Sequence, residues 1–77
     1  SRGLGDVYKR QAIATLDIFL DNAMMANLAS VRIIHGKGTG VLRKAVQDEL
    51  KRNRCVKRYR LGVYGEGEDG VTIAELA

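Results

Sequence analysis

The stretch Val31-Arg32-Ile33-Ile34-His35-Gly36-Lys37-Gly38-Thr39-Gly40-Val41-Leu42-Arg43-Lys44 constrains this chain more than any other. Val31 to Ile34 is too short for a helix and β-branched at three of its four positions, which predicts a strand. From Thr39 or Gly40 onward, Leu42, Ala45, Val46 and Leu50 mark one side of a second helix that runs to about Asn53. Asn53 is a fitting stop, because Asn tolerates the left-handed conformation that ends helices. The order is strand, imidazole, three alternating glycines, basic helix. It sets His35 beside a run of backbone N–H groups at a helix N-terminus. Such ends bind anions, because unpaired N–H groups and the positive end of the helix dipole both favour negative charge.

The flanking sequence supplies the rest of a small fold. Ile13, Leu16, Leu20, Ala23, Met24 and Leu28 follow helical spacing, with Asp17 and Asp21 on another face, which predicts a helix from Ala12 to about Ala29. Val56 to Leu61 reads as a strand with Tyr59 and Leu61 on one face and Arg58 and Arg60 on the other. Gly62 to Gly70 is a glycine-rich loop, and Val71 to Leu76 is a last strand in which Val71 and Ile73 share a face. The order α-β-α-β-β, preceded by a missing first strand, predicts an α/β two-layer sandwich. Both helices should lie on one face of the sheet. Arg32, Arg58 and Arg60 have the alternation to occupy the other, partly open face. Residues 1–11 read as a non-native or disordered tail, with the domain spanning 12–77. The chain opens on Ser1, so it is expected to be a piece of a longer protein.

Seventy-seven residues make one small domain. No apolar run approaches the roughly 20 residues that span a bilayer, and the first eleven residues hold no signal-peptide core. Cys55 stands alone, so an internal disulfide is excluded, which fits a reducing compartment. The net charge of +4 conceals a segregation. Residues 43–60 carry eight bases (Arg43, Lys44, Lys51, Arg52, Arg54, Lys57, Arg58, Arg60) against two acids, and residues 61–77 carry four acids and no base. A basic segment on a small domain points to phosphate backbones. The plain alternative is a solvated helix face. Tyr59 is the one aromatic in the basic strand, so there is no stacking platform of the kind that grips single strands. Nothing in the pattern separates DNA from RNA.

Spacing narrows the chemistry of the loop. A dinucleotide turn needs G-x-G-x-x-G, and the glycines here stand at Gly36, Gly38 and Gly40. A P-loop needs Gly-Lys-Ser/Thr after its gap, and Gly40 is followed by Val41 and Leu42. No Cys pair, second His or carboxylate cluster accompanies the motif, so a structural zinc site is not expected. His35 can act as acid or base near neutrality, or it can merely organise the turn. Gly36, Gly38 and Gly40 let the backbone approach a phosphate. Lys37 can add charge to a phosphate in the transition state, or stay a solvated surface lysine. Thr39 can cap the helix or bond the same anion. Glu66, Glu68 and Asp69 read as a solvated acidic loop, so any cleavage relies on His35 and electrostatics with at most one divalent metal ion and no other cofactor.

The phrase from Val31 to Arg43, the helix phrase Leu16-Asp17-Ile18-Phe19-Leu20-Asp21-Asn22-Ala23 and the segment Gly65-Glu66-Gly67-Glu68-Asp69-Gly70-Val71-Thr72 together closely resemble the Smr (small MutS-related) domain. The version that ends bacterial MutS2 proteins is the most similar, and the likeness spans roughly residues 12–77. It implies a βαβαββ fold similar to the C-terminal domain of translation initiation factor three. It also implies binding to DNA or RNA with low sequence specificity, often with endonuclease activity. With that activity, the residues of the loop themselves point to His35 and Lys37 as the catalytic pair. Gly36, Gly38, Thr39 and Gly40 hold phosphate, and Arg32, Arg43, Lys44, Arg58 and Arg60 line the nucleic-acid surface. The parent MutS2 proteins are cytoplasmic dimeric ATPases linked to recombination suppression and to rescue of collided ribosomes. The isolated domain would be a monomer, with no membrane partner. The family's first strand carries a Leu-Asp-Leu-Arg or Leu-Asp-Leu-His motif. Ser1-Arg2-Gly3-Leu4-Gly5-Asp6 does not match it, so the first strand is truncated or replaced here. The alternative is a non-catalytic module that docks DNA, RNA or a ribosome for a larger ATPase.

Overall fold

The computed structural model describes residues 2–38 and 40–77, with side chains from Tyr8 onward. The elements run α1 (Arg2–Met25), β1 (Ser30–Ile34), α2 (Val41–Arg52), β2 (Val56–Leu61), a 3-10 turn (Glu68–Gly70) and β3 (Val71–Leu76). Residues 2–11, expected as a tail, are helical and continuous with the rest of α1. The run Tyr8-Lys9-Arg10-Gln11 contains no breaker, so the helix extends backwards through it and continues to Arg2 despite the low helix propensity of Gly5 and Gly3. The other end comes earlier than expected. Asn27 sits in the left-handed region (φ 61). Leu28 N–H donates to Ala23 O and Asn27 N–H to Met24 O, which is the paired closure of a Schellman ending. Asn53 also ends its helix, but by a different route from the one its residue type suggests. Its backbone is extended (φ −78, ψ 123). Its side-chain oxygen accepts from Cys55 N–H at 2.8 Å, which turns the chain into β2.

Among the described residues the sheet has three strands in the order β1-β3-β2, and β3 is antiparallel to both neighbours. β1 and β2 are therefore parallel to each other, joined by the α2 crossover with β3 inserted between them. Register decides the faces. Val31 pairs with Ala74 and Ile33 with Thr72, and Tyr59 also faces Ala74. These side chains point toward the helices, where Leu16, Leu20 and Ala23 of α1 and Val46 and Leu50 of α2 meet Val31, Ala74 and Leu76 in one core. A register shift between Val56 and Arg58 lets Val56 and Tyr59, an odd number of residues apart, both pack on that core. The result is the expected two-layer sandwich. The buried face of β3 is Thr72, Ala74 and Leu76, while Val71 and Ile73 share the opposite face.

The two helices are also joined by polar groups. Asp17 of α1 and Glu49 of α2 share a hydrogen bond that raises the Asp17 carboxyl and lowers that of Glu49. Arg52 donates to Glu49 at 2.7 Å, and Asn53 donates to Asp17 at 3.3 Å. A buried Glu49 is tolerated because it is paired with Arg52 and no buried side-chain polar atom among the described residues lacks a partner.

The core rests on Leu20, which is fully buried, whereas Ile18 on the same helix is 63% exposed. Leu20→Ala should lower the unfolding free energy by about 2–5 kcal/mol, and Ile18→Ala by less than about 0.5 kcal/mol. Urea titrations followed by circular dichroism check the contrast.

Candidate functional site

β1 delivers His35 to the end of the sheet, and one acceptor fixes the turn that follows. The Gly70 carbonyl accepts from His35 N–H at 3.1 Å and from Gly36 N–H at 2.9 Å, using both of its lone pairs. Two of the amides expected to face an anion are therefore committed to the protein. Gly70 is buried, and a Cβ there would stand 3.2 Å from Lys37 Cγ and 3.5 Å from the Gly36 carbonyl carbon, a close fit that a larger residue keeps only if the Lys37 side chain yields. Gly40 caps α2 in a left-handed conformation (φ 86) and makes no side-chain cap bond. Thr39, expected as a cap or anion ligand, lies outside the described residues.

The His35 ring is held at both nitrogens. Nδ1 lies 2.9 Å from Gly36 O, and Nε2 lies 2.8 Å from Thr72 Oγ1. A carbonyl can only accept, so Nδ1 carries a proton. In the neutral ring Nε2 then accepts from the Thr72 hydroxyl, and in the imidazolium it donates to the same hydroxyl. Thr72 is fully buried and serves both charge states. Sequence reasoning missed this residue, because Thr72 is 37 positions away and only strand register brings it to His35.

The basic residues divide. Lys37 Nζ lies 3.6 Å from Asp69 Oδ1 and 3.9 Å from Glu68 Oε1, and Arg43 Nη1 lies 4.0 Å from Asp69 Oδ2. Lys37 and Arg43 therefore meet on Asp69 beside the start of α2, where Arg43 and His35 line one opening. A cleft of about 500 Å³ opens there, lined by His35, Gly36, Gly38, Gly40 and Arg43, with Tyr8 and Lys9 of α1 across from them. Lys9 was hidden from sequence reasoning because it belongs to the stretch set aside as a tail. Arg32, Arg58 and Arg60 occupy the open face of the sheet, as their alternation suggested. Arg32 and Arg60 flank Ile73 there, and Arg58 faces Glu75. Arg58 Nε pairs with Glu75 at 3.2 Å, and Arg60 makes a two-pronged contact with Glu66 at 2.7 and 3.1 Å. Lys44 joins neither group and pairs with Asp48 along α2 at 3.6 Å. Among the described residues no three His, Cys, Asp or Glu side chains gather as a metal cluster. No described helix is long and apolar enough to cross a membrane. Burial pushes the Cys55 thiol up, away from the reactive thiolate.

The model of the Smr domain matches residues 4–77. This chain belongs to the Smr domain family. It is 64% identical over 66 residues to the endonuclease MutS2 of Clostridium beijerinckii and 59% identical over 66 residues to that of Symbiobacterium thermophilum. Each match covers 86% of this chain and 8% of the relative, so the chain spans a small part of these proteins. The Smr domain of Thermus thermophilus MutS2, solved by crystallography, superposes with a TM-score of 0.86 at 36% identity, covering 90% of this chain and 86% of that one. The Smr fold thus holds here with, among the described residues, three strands, two helices on one face, and α1 where the resemblance implied a first strand. Asp6 falls within α1, among the residues whose side chains are not described.

Two predictions follow from the wiring of this Smr site. Thr72→Val keeps the shape of the side chain but removes the hydroxyl. It should cost about 0.5–1.5 kcal/mol and release His35 Nε2, seen as a changed 15N chemical shift of that ring nitrogen. Glu66 is held down to about 2, below its ordinary 4.5, first by the Arg60 guanidinium and then by Val63 N–H. A lowered folded-state carboxyl contributes stability that is present above 4.5 and is lost as the pH falls through about 2. A carboxyl-carbon NMR titration should give a Glu66 midpoint near 2, and Arg60→Ala should return it toward 4.5.

Proposed function

We propose that this Smr domain binds the phosphodiester backbone of DNA or RNA with low sequence specificity, and that it cleaves that backbone as an endonuclease. The observation that carries this reading is that Lys37 and Arg43 meet on one carboxylate while Arg43 and His35 line one cleft at the glycine-rich start of α2. Lys37 and Arg43 can grip adjacent phosphate oxygens. Gly36, Gly38 and Gly40 keep side chains out of the approach. Lys9 adds a cation across the cleft. Arg32, Arg58 and Arg60 form a second basic row on the open sheet face, and Lys44 a third contact along α2.

For cleavage, His35 Nε2 would take the proton of the attacking water as its oxygen bonds to phosphorus, while Lys37 stabilises charge on the phosphate. The P–O bond to the leaving sugar oxygen would break, and that oxygen would take up a proton from solvent. The reading assigns proton transfer to His35 and charge stabilisation to Lys37, with at most one divalent metal ion and no other cofactor. In a MutS2-like parent the domain would work in the cytoplasm, with the parent chain a homodimer and the isolated domain a monomer. DNA, RNA and the ribosome are the partners this reading names, with recombination and ribosome rescue the processes served.

One observation favours the second reading, a docking module without catalysis. His35 Nε2 is already bonded to a buried hydroxyl at 2.8 Å, so a substrate water must displace Thr72 or pass its proton through it. Incubation with supercoiled plasmid separates the two. Nicking lost in both His35→Ala and Lys37→Ala supports the endonuclease. Nicking that survives both removes it. Duplex binding without nicking supports the docking module. By anisotropy, Lys37→Ala should weaken duplex binding about three- to tenfold and flatten the salt slope by about one unit, as expected for one lost phosphate contact.

A further inference from the structure

The cations at the start of α2 are not waiting empty-handed. One carboxylate bridges them: Asp69 Oδ1 faces Lys37 and Asp69 Oδ2 faces Arg43, at 3.6 and 4.0 Å. Two oxygens on one atom, each facing a different cation, is the arrangement a phosphate would adopt in the same place. Glu68 adds a second carboxylate near Lys37 at 3.9 Å. The backbone that presents Asp69 is fixed, because the next residue, Gly70, accepts from both His35 and Gly36. The side chain itself is not. Asp69 is 54% and Lys37 63% exposed, and exposed ion pairs of this kind contribute little to stability. The contact can therefore open without unfolding the turn.

We infer that Asp69 is an internal stand-in for phosphate, competing with nucleic acid for Lys37 and Arg43 and so lowering the affinity of the site. The inference rests on the nucleic-acid reading of that site and adds a regulator to it. Binding requires the carboxylate to swing away, and the apparent affinity is reduced by the fraction of molecules in which it has not. Anything that neutralises or draws off Asp69 raises affinity. High ionic strength erases the difference, because it screens the internal pair as well as the phosphate contacts.

The test measures binding of the 77-residue chain to a fluorescent 20-base-pair duplex at low salt. Asp69→Asn should tighten binding about three- to tenfold, more than the loss of one distant charge gives. Asp21→Asn, the same charge change at an exposed carboxylate that makes no ion pair among the described residues and faces only Cys55 Sγ at 3.7 Å, is the control and should shift affinity less than about twofold. In a Lys37→Ala, Arg43→Ala background, Asp69→Asn should fall to the level of that control. Binding by the unchanged chain that Asp69→Asn does not tighten beyond Asp21→Asn overturns the inference and leaves the nucleic-acid reading standing. A gain that persists without Lys37 and Arg43 also overturns it, because the effect is then general electrostatics. No binding by any variant overturns both the inference and the reading beneath it.

Discussion

The Gly70 carbonyl, accepting from His35 and Gly36, is the contact on which the site depends. It joins the last residue before β3 to the first residues after β1, so the sheet register and the functional loop are set by the same pair of bonds. It also explains why the glycine-rich segment 62–70 is ordered in two places. Glu66 ties its middle to Arg60 and to Val63 N–H, and Gly70 ties its end to the loop after β1. Between those two anchors the chain makes its 3-10 turn, which leaves Glu68 and Asp69 beside Lys37. An acidic loop that the sequence presents as solvated is thereby delivered to the cationic end of α2.

The same bonds change what His35 can do. A histidine at a strand end with a free ring nitrogen is a candidate base. Here the ring is clamped between a carbonyl and a buried hydroxyl, and the hydroxyl can serve as donor or acceptor. Clamping fixes the tautomer and the ring plane, which is what a positioned base needs. It also occupies the nitrogen that a base would use. Ordering the ring and offering it to substrate are thus in competition, and Thr72 is the residue through which that competition runs.

Much of this was legible in the sequence, residue by residue. The β-branched run at Val31 to Ile34 and the helical spacing of Val46 and Leu50 predicted elements whose cores are where they should be. Alternation alone put Arg58 and Arg60 on one face, and pairing with β3 then put Arg32 on the same side. Helix ends were less legible, because Asn27 and Asn53 end their helices by different geometries that residue type does not distinguish. Leu42, expected on the buried side of α2, stays 37% exposed because its turn borders the open cleft. Thr72 was not legible at all. Its partner follows the neighbouring strand β1, 37 positions away in the chain, and nothing local marks a threonine in a β-strand as anything but a good strand former.

Charge is where sequence and space part most clearly. Along the chain, a basic block at 43–60 is followed by a block of acids at 61–77. In space the blocks fold onto each other, because β3 is inserted beside β2 and the 3-10 turn folds back on the start of α2. Arg58 meets Glu75, Arg60 meets Glu66, and Arg43 meets Asp69. Lys44 is met within its own block by Asp48. The segregation that looked like a phosphate footprint is in large part an intramolecular pairing code. If the proposed nucleic acid binds this surface, it would trade places with carboxylates and not simply neutralise bare cations. Each such exchange would return less free energy than a contact to an unpaired base, because the lost ion pair is set against the new one. Affinity would then depend less on the number of arginines than on how easily their resident carboxylates leave. By that measure the bidentate, short Arg60–Glu66 pair is the most firmly held, and the longer contacts of Asp69 are the first to give way.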